Sequence, residues 1–332
     1  MPPVWNGGHP DYDVERDFVG YGEAGIDPKW PNKAKIAVSF VINYEEGGER
    51  SVQTGDGMAE QNLRENPGGP PRINERNVNV ESEYEYGSRA GFWRLFRLFA
   101  EKKMKFTLYA VATAVEKQPE VVKRCVEMGH DVASHAYRWI DYHDFPIEKE
   151  KEYIRKAITS LKSLSGYAPR GWYYGRNSPH SRTLVPQVYA EMGESLEWAS
   201  DTYADDVPYW VDLPLERALP AAESKGLLMV PYSYDCNDFK FHVLGSGFAD
   251  PEGFFVHLKN AFDVLYDEGE KGMPKMMTIG LHCRIVGRPG RFGALNKFVE
   301  YIEAKEGVWV ATRSEIADAF KKEYPYKKGQ LA

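Results

Sequence analysis

A rhythm repeated along nearly the whole chain constrains its fold most. A short apolar run, a loop and an amphipathic segment follow one another again and again. The apolar runs fall at residues 36–42, 106–111, 132–134, 171–174, 196–199, 227–231, 276–281 and 308–311. They are partly β-branched, which suits parallel strands buried on both faces. Between them the spacing predicts helices. Residues 88–103 place Phe92, Leu95, Phe96 and Phe99 on one face. Residues 119–128 open on Pro119 and are followed by Gly129, the usual start and stop asymmetry. Residues 148–164 carry Ile154, Ala157, Ile158, Leu161 and Leu164 at helical spacing before Gly166. Residues 254–266 and 293–304 are two more helices, and Ser314 is read as the cap of a last one running to about Lys321. Such alternation builds an α/β barrel or a doubly wound sheet. About eight strands, with no glycine-rich phosphate loop after the first, favour the barrel.

Length and composition narrow the class. The chain has 332 residues, 42% hydrophobic and 27% charged. It is long enough to bury a core without disulfide staples, and its balance excludes disordered and collagen-like chains. It is read as one domain over residues 1–332 with a long polar insertion at about 47–79. That insertion contains Asn66-Pro67-Gly68-Gly69-Pro70-Pro71 and is too long for a plain barrel connection; it is expected to be a lid or a subunit contact. The net charge of −7 removes the electrostatic drive for nucleic-acid binding. The three cysteines have neither metal spacing nor an even count, so a reducing compartment is expected. The first residues show no secretory pattern and no run reaches membrane-spanning length. A cytoplasmic location without membrane partners is the expectation.

In a barrel, chemistry sits on the loops after the strands. Six strand ends carry polar clusters: Asn43 to Gly48, Ser134 to Asp141, Tyr174 to Pro179, Asp201 to Asp206, Asp235 to Asp238, and His282 to Arg284 with Gly287 to Arg291. Six clusters in phase predict one shared site.

These residues also carry a resemblance. A strand-end acid, a Ser-His pair after a later strand and a late Leu-His resemble the polysaccharide deacetylase (NodB-homology) superfamily. The stretches Asn43-Tyr44-Glu45-Glu46-Gly47, Tyr84-Glu85-Tyr86-Gly87-Ser88-Arg89, Ser134-His135-Ala136-Tyr137-Arg138-Trp139-Ile140-Asp141, Gly171-Trp172-Tyr173-Tyr174-Gly175-Arg176 and His282-Cys283-Arg284 with Gly287-Arg288-Pro289-Gly290-Arg291 resemble its metal-independent allantoinase branch. The likeness runs from about residue 17 to about residue 320. It implies a distorted (β/α) barrel with fewer strands than a full eight, and a homo-oligomer.

Metal-binding members of that superfamily use an Asp and the two imidazoles of a His-x3-His motif, which share one face of a turn. Here the first position is His135 and the second is Trp139. Asn43 stands where the base Asp would be, and Glu45 or Glu46 near the metal Asp. An indole offers no lone pair, so neither a metal nor another cofactor is expected. His143 is read as a surface residue.

Amide hydrolysis then needs side chains that activate water, stabilise an oxyanion and protonate the leaving nitrogen. Glu45 and Glu46 are the candidate bases, and spacing does not separate them. Arg176, Arg284 and Arg288 are candidate oxyanion and substrate donors, because a planar guanidinium suits a ureido or carboxylate group. The resemblance assigns the late catalytic imidazole to His282, while His135 orients substrate or water. Asp201 or Asp206 is expected to hold the histidine tautomer. Trp139, Tyr174 and Trp210 are expected to wall the pocket. The resulting expectation is a hydrolase of cyclic amide C–N bonds, opening allantoin to allantoate, with a small cyclic ureide as its ligand. Two alternatives stand beside it: a deacetylase of N-acetylglucosamine polymers such as chitin, and a non-catalytic ligand-binding barrel.

Overall fold

The computed structural model describes residues 9, 11–66, 69–243, 245 and 247–329. The first eight residues, read above against a secretory signal, lie outside that set, as do Pro67 and Gly68 of the insertion. Nine strands form one sheet among the described residues: β1 Ile36–Tyr44, β2 Thr107–Ala110, β3 Asp131–Ser134, β4 Gly171–Trp172, β5 Trp198–Ala199, β6 Tyr209–Val211, β7 Leu227–Met229, β8 Lys275–His282 and β9 Val308–Val310. The order is β6-β7-β5-β4-β3-β2-β1-β8, with β9 paired to the first half of β1. All pairs are parallel except β6 with β7. The sheet curls into an incomplete barrel. Its two ends meet where Asn237, beyond β7, bridges to Gly280 of β8.

The helices are α1 Val78–Tyr86, α2 Phe92–Glu101, α3 Ala112–Lys117, α4 Glu120–Glu127, α5 Ile147–Ser165, α6 Ser181–Glu191, α7 Pro251–Glu270, α8 Pro289–Glu303 and α9 Arg313–Glu323. A π-helical turn, Gly87–Gly91, joins α1 to α2. None of the described helices is long and apolar enough to cross a membrane. Thr312, not Ser314, caps α9. Its side chain accepts from Glu315 N while the Glu315 carboxylate accepts from Thr312 N. Ser314 Oγ instead accepts from Trp198 Nε1 at 3.0 Å.

The strand period of two sorts side chains between two cores. On β1, Ile36, Val38, Phe40 and Ile42 face the helices, where Phe40 meets Phe99 and Phe298. Ala37 and Val41 face the barrel interior with Tyr109, Ala133, Tyr173, Trp198 and Tyr232. The interior also holds the fully buried Arg313. Its guanidinium is satisfied by Ser200, Thr278 and the carbonyls of Val230 and Pro231.

Four elements differ from the sequence expectation. Helix α1 lies at the end of the polar insertion and buries only Val80 and Tyr84, too few for a visible apolar stripe. Helix α3 is six residues long, and α6 contains Pro186. Strand β6 is a three-residue antiparallel edge. Strand β6 and α3 are too short to show a period, and in α6 the interior Pro186 reads as a breaker although Leu184, Val185, Val188 and Tyr189 share its buried face.

Two glycines let α2 approach the loop after β8. A Cβ on Gly91 or on Gly287 would overlap the Cys283 carbonyl, which is backbone and has no room to yield. Gly91→Ala is therefore expected to destabilise the protein by about 1–3 kcal/mol through overpacking. A urea midpoint equal to that of the wild type would refute this close contact.

Candidate active site

Carrying the strand alternation one step past each strand end builds the site. On β1 the inward series Ser39, Val41 and Asn43 continues to Glu45; on β8 the series Thr278 and Gly280 reaches His282. The two strands pair in register at Asn43 and His282. On β3 Ala133 faces inward, so His135 follows it. Ala136, at φ 63°, then turns the chain away through the left-handed region.

Glu45 lies at the centre and is buried. Its Oε1 stands 3.3 Å from His135 Nε2 and 3.4 Å from His282 Nε2. Its Oε2 accepts from Arg284 Nη1 at 2.7 Å. The opposite nitrogen of His282, Nδ1, contacts Asp238 Oδ1 at 2.6 Å. Asp238 is fully buried, and its Oδ2 accepts from the backbone N–H of His282 and of Val286. Asn43 Nδ2 donates to Tyr232 OH at 2.9 Å and to Leu281 O at 3.2 Å.

The electrostatics follow from these neighbours. Burial works against ionisation of Glu45. The charges of His282 and Arg284 and the His135 hydrogen bond outweigh it and hold the carboxyl well below the usual range. Burial likewise opposes the charge on His282, but Glu45 and Asp238 lift its pKa to about 9. At neutral pH the pocket therefore contains a carboxylate beside an imidazolium.

Glu46 takes the opposite face, as the alternation requires. Its Oε2 accepts from Glu45 N at 3.0 Å; its Oε1 makes no hydrogen bond and lies 3.8 Å from Arg284 Nη1. It packs against Gly87 of the π-turn, where any Cβ would overlap its carboxylate. Burial pushes its pKa up to about 7 against the pull of Arg284.

A cavity of about 240 Å³ opens above Glu45, His135 and His282, and Trp139, Tyr173, Arg176, Tyr232 and Tyr234 wall it. Part of the insertion closes it: Asn62 and Leu63 line the cavity, Leu63 O accepts from Arg284 Nε, and Glu60 pairs with Arg176 at 3.2 Å. Two larger cavities, of about 1130 and 620 Å³, contain none of Glu45, His135 and His282.

The sequence and the fold match known proteins. A family model described as "Polysaccharide deacetylase" matches residues 75–193. A Schizosaccharomyces pombe protein named "Putative polysaccharide deacetylase" is 50% identical over 316 residues, covering 94% of this chain and 98% of that protein. The chain belongs to the polysaccharide deacetylase family. Two solved structures are also similar to it. A "probable Polysaccharide deacetylase" from Pseudomonas aeruginosa PAO1 is 45% identical with a TM-score of 0.86, over 94% of this chain and 99% of that one. The PuuE allantoinase is 44% identical with a TM-score of 0.86, over 95% of this chain and 99% of that one.

The residues at the family's metal position do not fit a metal in this polysaccharide deacetylase homologue. The Trp139 ring stands where a second imidazole would reach the ion, and the guanidinia of Arg176 and Arg284 pack on it at 4.8 and 5.1 Å. Arg284 already occupies Oε2 of Glu45, so a cation there would meet a fixed like charge. Among the described residues, the pocket side chains do not form a group of three ligand atoms close enough to share an ion.

Of the residues singled out from sequence, Glu45, His135, His282, Trp139 and Arg176 line the cavity, and Arg284 holds Glu45 from beneath. Five placements are corrected. Tyr174 points outward between Tyr142 and Trp172, and its neighbour Tyr173 takes the inward place. Trp210 donates to Tyr324 O and lies against Tyr326, away from the cavity. Arg288 precedes α8 and stacks on Tyr86 at 3.8 Å. Asp201 does not hold a histidine; it accepts from the backbone of Tyr174 and Gly175 and so braces the loop that carries Arg176. Asp206 is exposed, and its carbonyl accepts from Met276 N. The histidine partner is Asp238, whose strand-end cluster was visible in the sequence without a role assigned.

The Glu46 carboxyl yields a stability test. Unfolded, it loses its proton near the ordinary glutamate value of 4.5; folded, near 7. The folded state holds the extra proton between these values, so this group lowers stability as pH rises through that window. Glu46→Gln should then stabilise the protein on the order of 2–3 kcal/mol at about pH 8 and little below about pH 4.5. Equal urea stabilities at both pH values would show that Glu46 ionises freely.

Proposed function

We propose that this protein hydrolyses a ring amide of a small cyclic ureide in the manner of an allantoinase, opening allantoin to allantoate with side chains alone as acid and base. The observation that carries this reading is the seating of Glu45 between two imidazoles and the Arg284 guanidinium, at the floor of a cavity of about 240 Å³. That volume lies below the roughly 300–1,000 Å³ of drug-sized ligand sites and suits a compact ring better than a polymer chain. The 44% identity to the PuuE allantoinase supports the same substrate class. Cytoplasmic breakdown of purine-derived ureides is the setting it implies.

Water held on Glu45 Oε1 attacks the ring carbonyl carbon and passes a proton to that oxygen. Arg176 and His135, on the cavity wall, face the developing oxyanion. As the C–N bond breaks, His282 donates its Nε2 proton to the leaving nitrogen. The charge of His282 is the foremost attraction that keeps Glu45 ionised, so the protonated imidazole preserves the carboxylate that accepts the proton of the attacking water. The proton then returns from Glu45 Oε1 to His282 Nε2, 3.4 Å away, and restores the starting pair. Asp238 fixes the ring so that Nε2 faces the substrate.

Glu45→Gln should lower kcat by about 10²–10⁴. The reaction requires ionised Glu45 and protonated His282, so kcat/KM should stay level through neutral pH and fall above about pH 9 as His282 loses its proton. Asp238→Asn removes one of the two carboxylates that raise His282, so the falling limb should move to lower pH. A basic limb unmoved in Asp238→Asn would remove His282 from the acid role. Chelation should leave allantoin hydrolysis intact on a panel of allantoin, hydantoin, succinimide and chitin oligomers. Untouched ureides, together with metal-dependent cleavage of acetylated sugars, would replace this reading with polymer deacetylation.

A further inference from the structure

We propose that Asp235, Cys236 and His257 form a zinc(II) site, separate from the pocket around Glu45 and independent of the reaction assigned to it. Asp235 and Cys236 lie on the segment after β7, and His257 lies on α7 beside them. Asp235 Oδ2 is 3.8 Å from Cys236 Sγ and 3.5 Å from His257 Nε2, and the ligand atoms of all three lie within 4.8 Å of one another. A tetrahedral ion with bonds of about 2.0–2.3 Å spaces its ligand atoms about 3.3–3.5 Å apart, so small side-chain shifts close the set.

The surroundings prepare these atoms. Ser233 Oγ donates to Asp235 Oδ1 at 2.7 Å, which leaves Oδ2 facing the thiol and the imidazole. A hydroxyl that orients a ligating carboxylate is the usual support around a metal. His257 Nε2 is buried and makes no hydrogen bond, a cost that coordination would remove. Phe248 holds the His257 ring edge-on at 5.4 Å. The three residues line a cavity of about 620 Å³, which leaves a fourth position for water, and the exposed Asp235 gives an ion its entry. Thiolate with imidazole selects zinc over magnesium or calcium, and coordination displaces the thiol proton.

The site adjoins the pocket along the chain but adds no group to it. Cys236 directly precedes Asn237, which lines the Glu45 cavity, and Asp238, which holds His282. Tyr232 and Tyr234 wall both cavities. An ion here ties the segment that carries Asp238 to α7. Zinc recovered with the protein would then report this clamp and not a catalytic ion.

The test uses the full-length protein, stripped with a chelator under reducing conditions and titrated with cobalt(II). One equivalent should bind with a thiolate-to-cobalt charge-transfer absorption that zinc displaces. Cys236→Ser should abolish the absorption, because the other two cysteines, Cys125 and Cys283, are fully buried elsewhere. His257→Ala, at a half-buried helix position, should weaken binding at least about tenfold. Absence of the absorption in the wild type would overturn the site. So would unchanged affinity in His257→Ala, or an absorption that survives Cys236→Ser.

Discussion

A carboxylate kept ionised in a dry place is the constraint around which this structure is arranged. Glu45 is buried just past the end of β1, and an unpaired charge there would cost several kcal/mol of lost hydration. Arg284 and His282 must therefore be brought to it, and each brings its own requirement. Arg284 needs the loop after β8 pressed against α2, which Gly91 and Gly287 permit. It also needs the Tyr84 ring, 4.2 Å beneath its guanidinium. His282 needs Asp238, which in turn is held by two backbone amides. The closure of the curled sheet at Asn237 and Gly280 places that aspartate.

Two adjacent glutamates diverge for a geometric reason. Both are buried, so both lose hydration. Glu45 faces inward and gains three partners, whereas Glu46 faces the π-turn and gains little beyond one backbone amide and a distant Arg284. One is driven toward the charged form and the other toward the neutral form. Neighbouring carboxyl groups thus supply a fixed anion and, beneath it, a group whose proton is held to a higher pH.

The long insertion completes the pocket, and ion pairs hold it over the strand ends. Arg138 binds Asp56, Arg176 binds Glu60 and Arg291 binds Glu65 at 2.6 Å. These contacts turn a polar stretch with little apolar surface into a wall, and they narrow an open barrel mouth to a space of small-molecule size.

The alternation of apolar runs and helix patterns, together with several long motifs, was enough to establish the parallel α/β architecture, the family and the strand-end location of Glu45, His135 and His282. Local periodicity carries that information, because burial on both faces of a strand and on one face of a helix leaves its mark on nearby residues. What lay beyond it needed the fold. The choice between Glu45 and Glu46, and between Tyr173 and Tyr174, turns on a one-residue phase past the strand end. The partner of His282 proved to be Asp238, not Asp201 or Asp206, because a carboxylate far along the chain is selected by how the sheet closes. Trp210 and Arg288 sit near strand ends in sequence, yet the first belongs to another surface and the second to the start of a helix. Residue types declare which chemistry a chain can perform; only three-dimensional closure decides which of them meet, since contact between distant segments has no signature in local spacing.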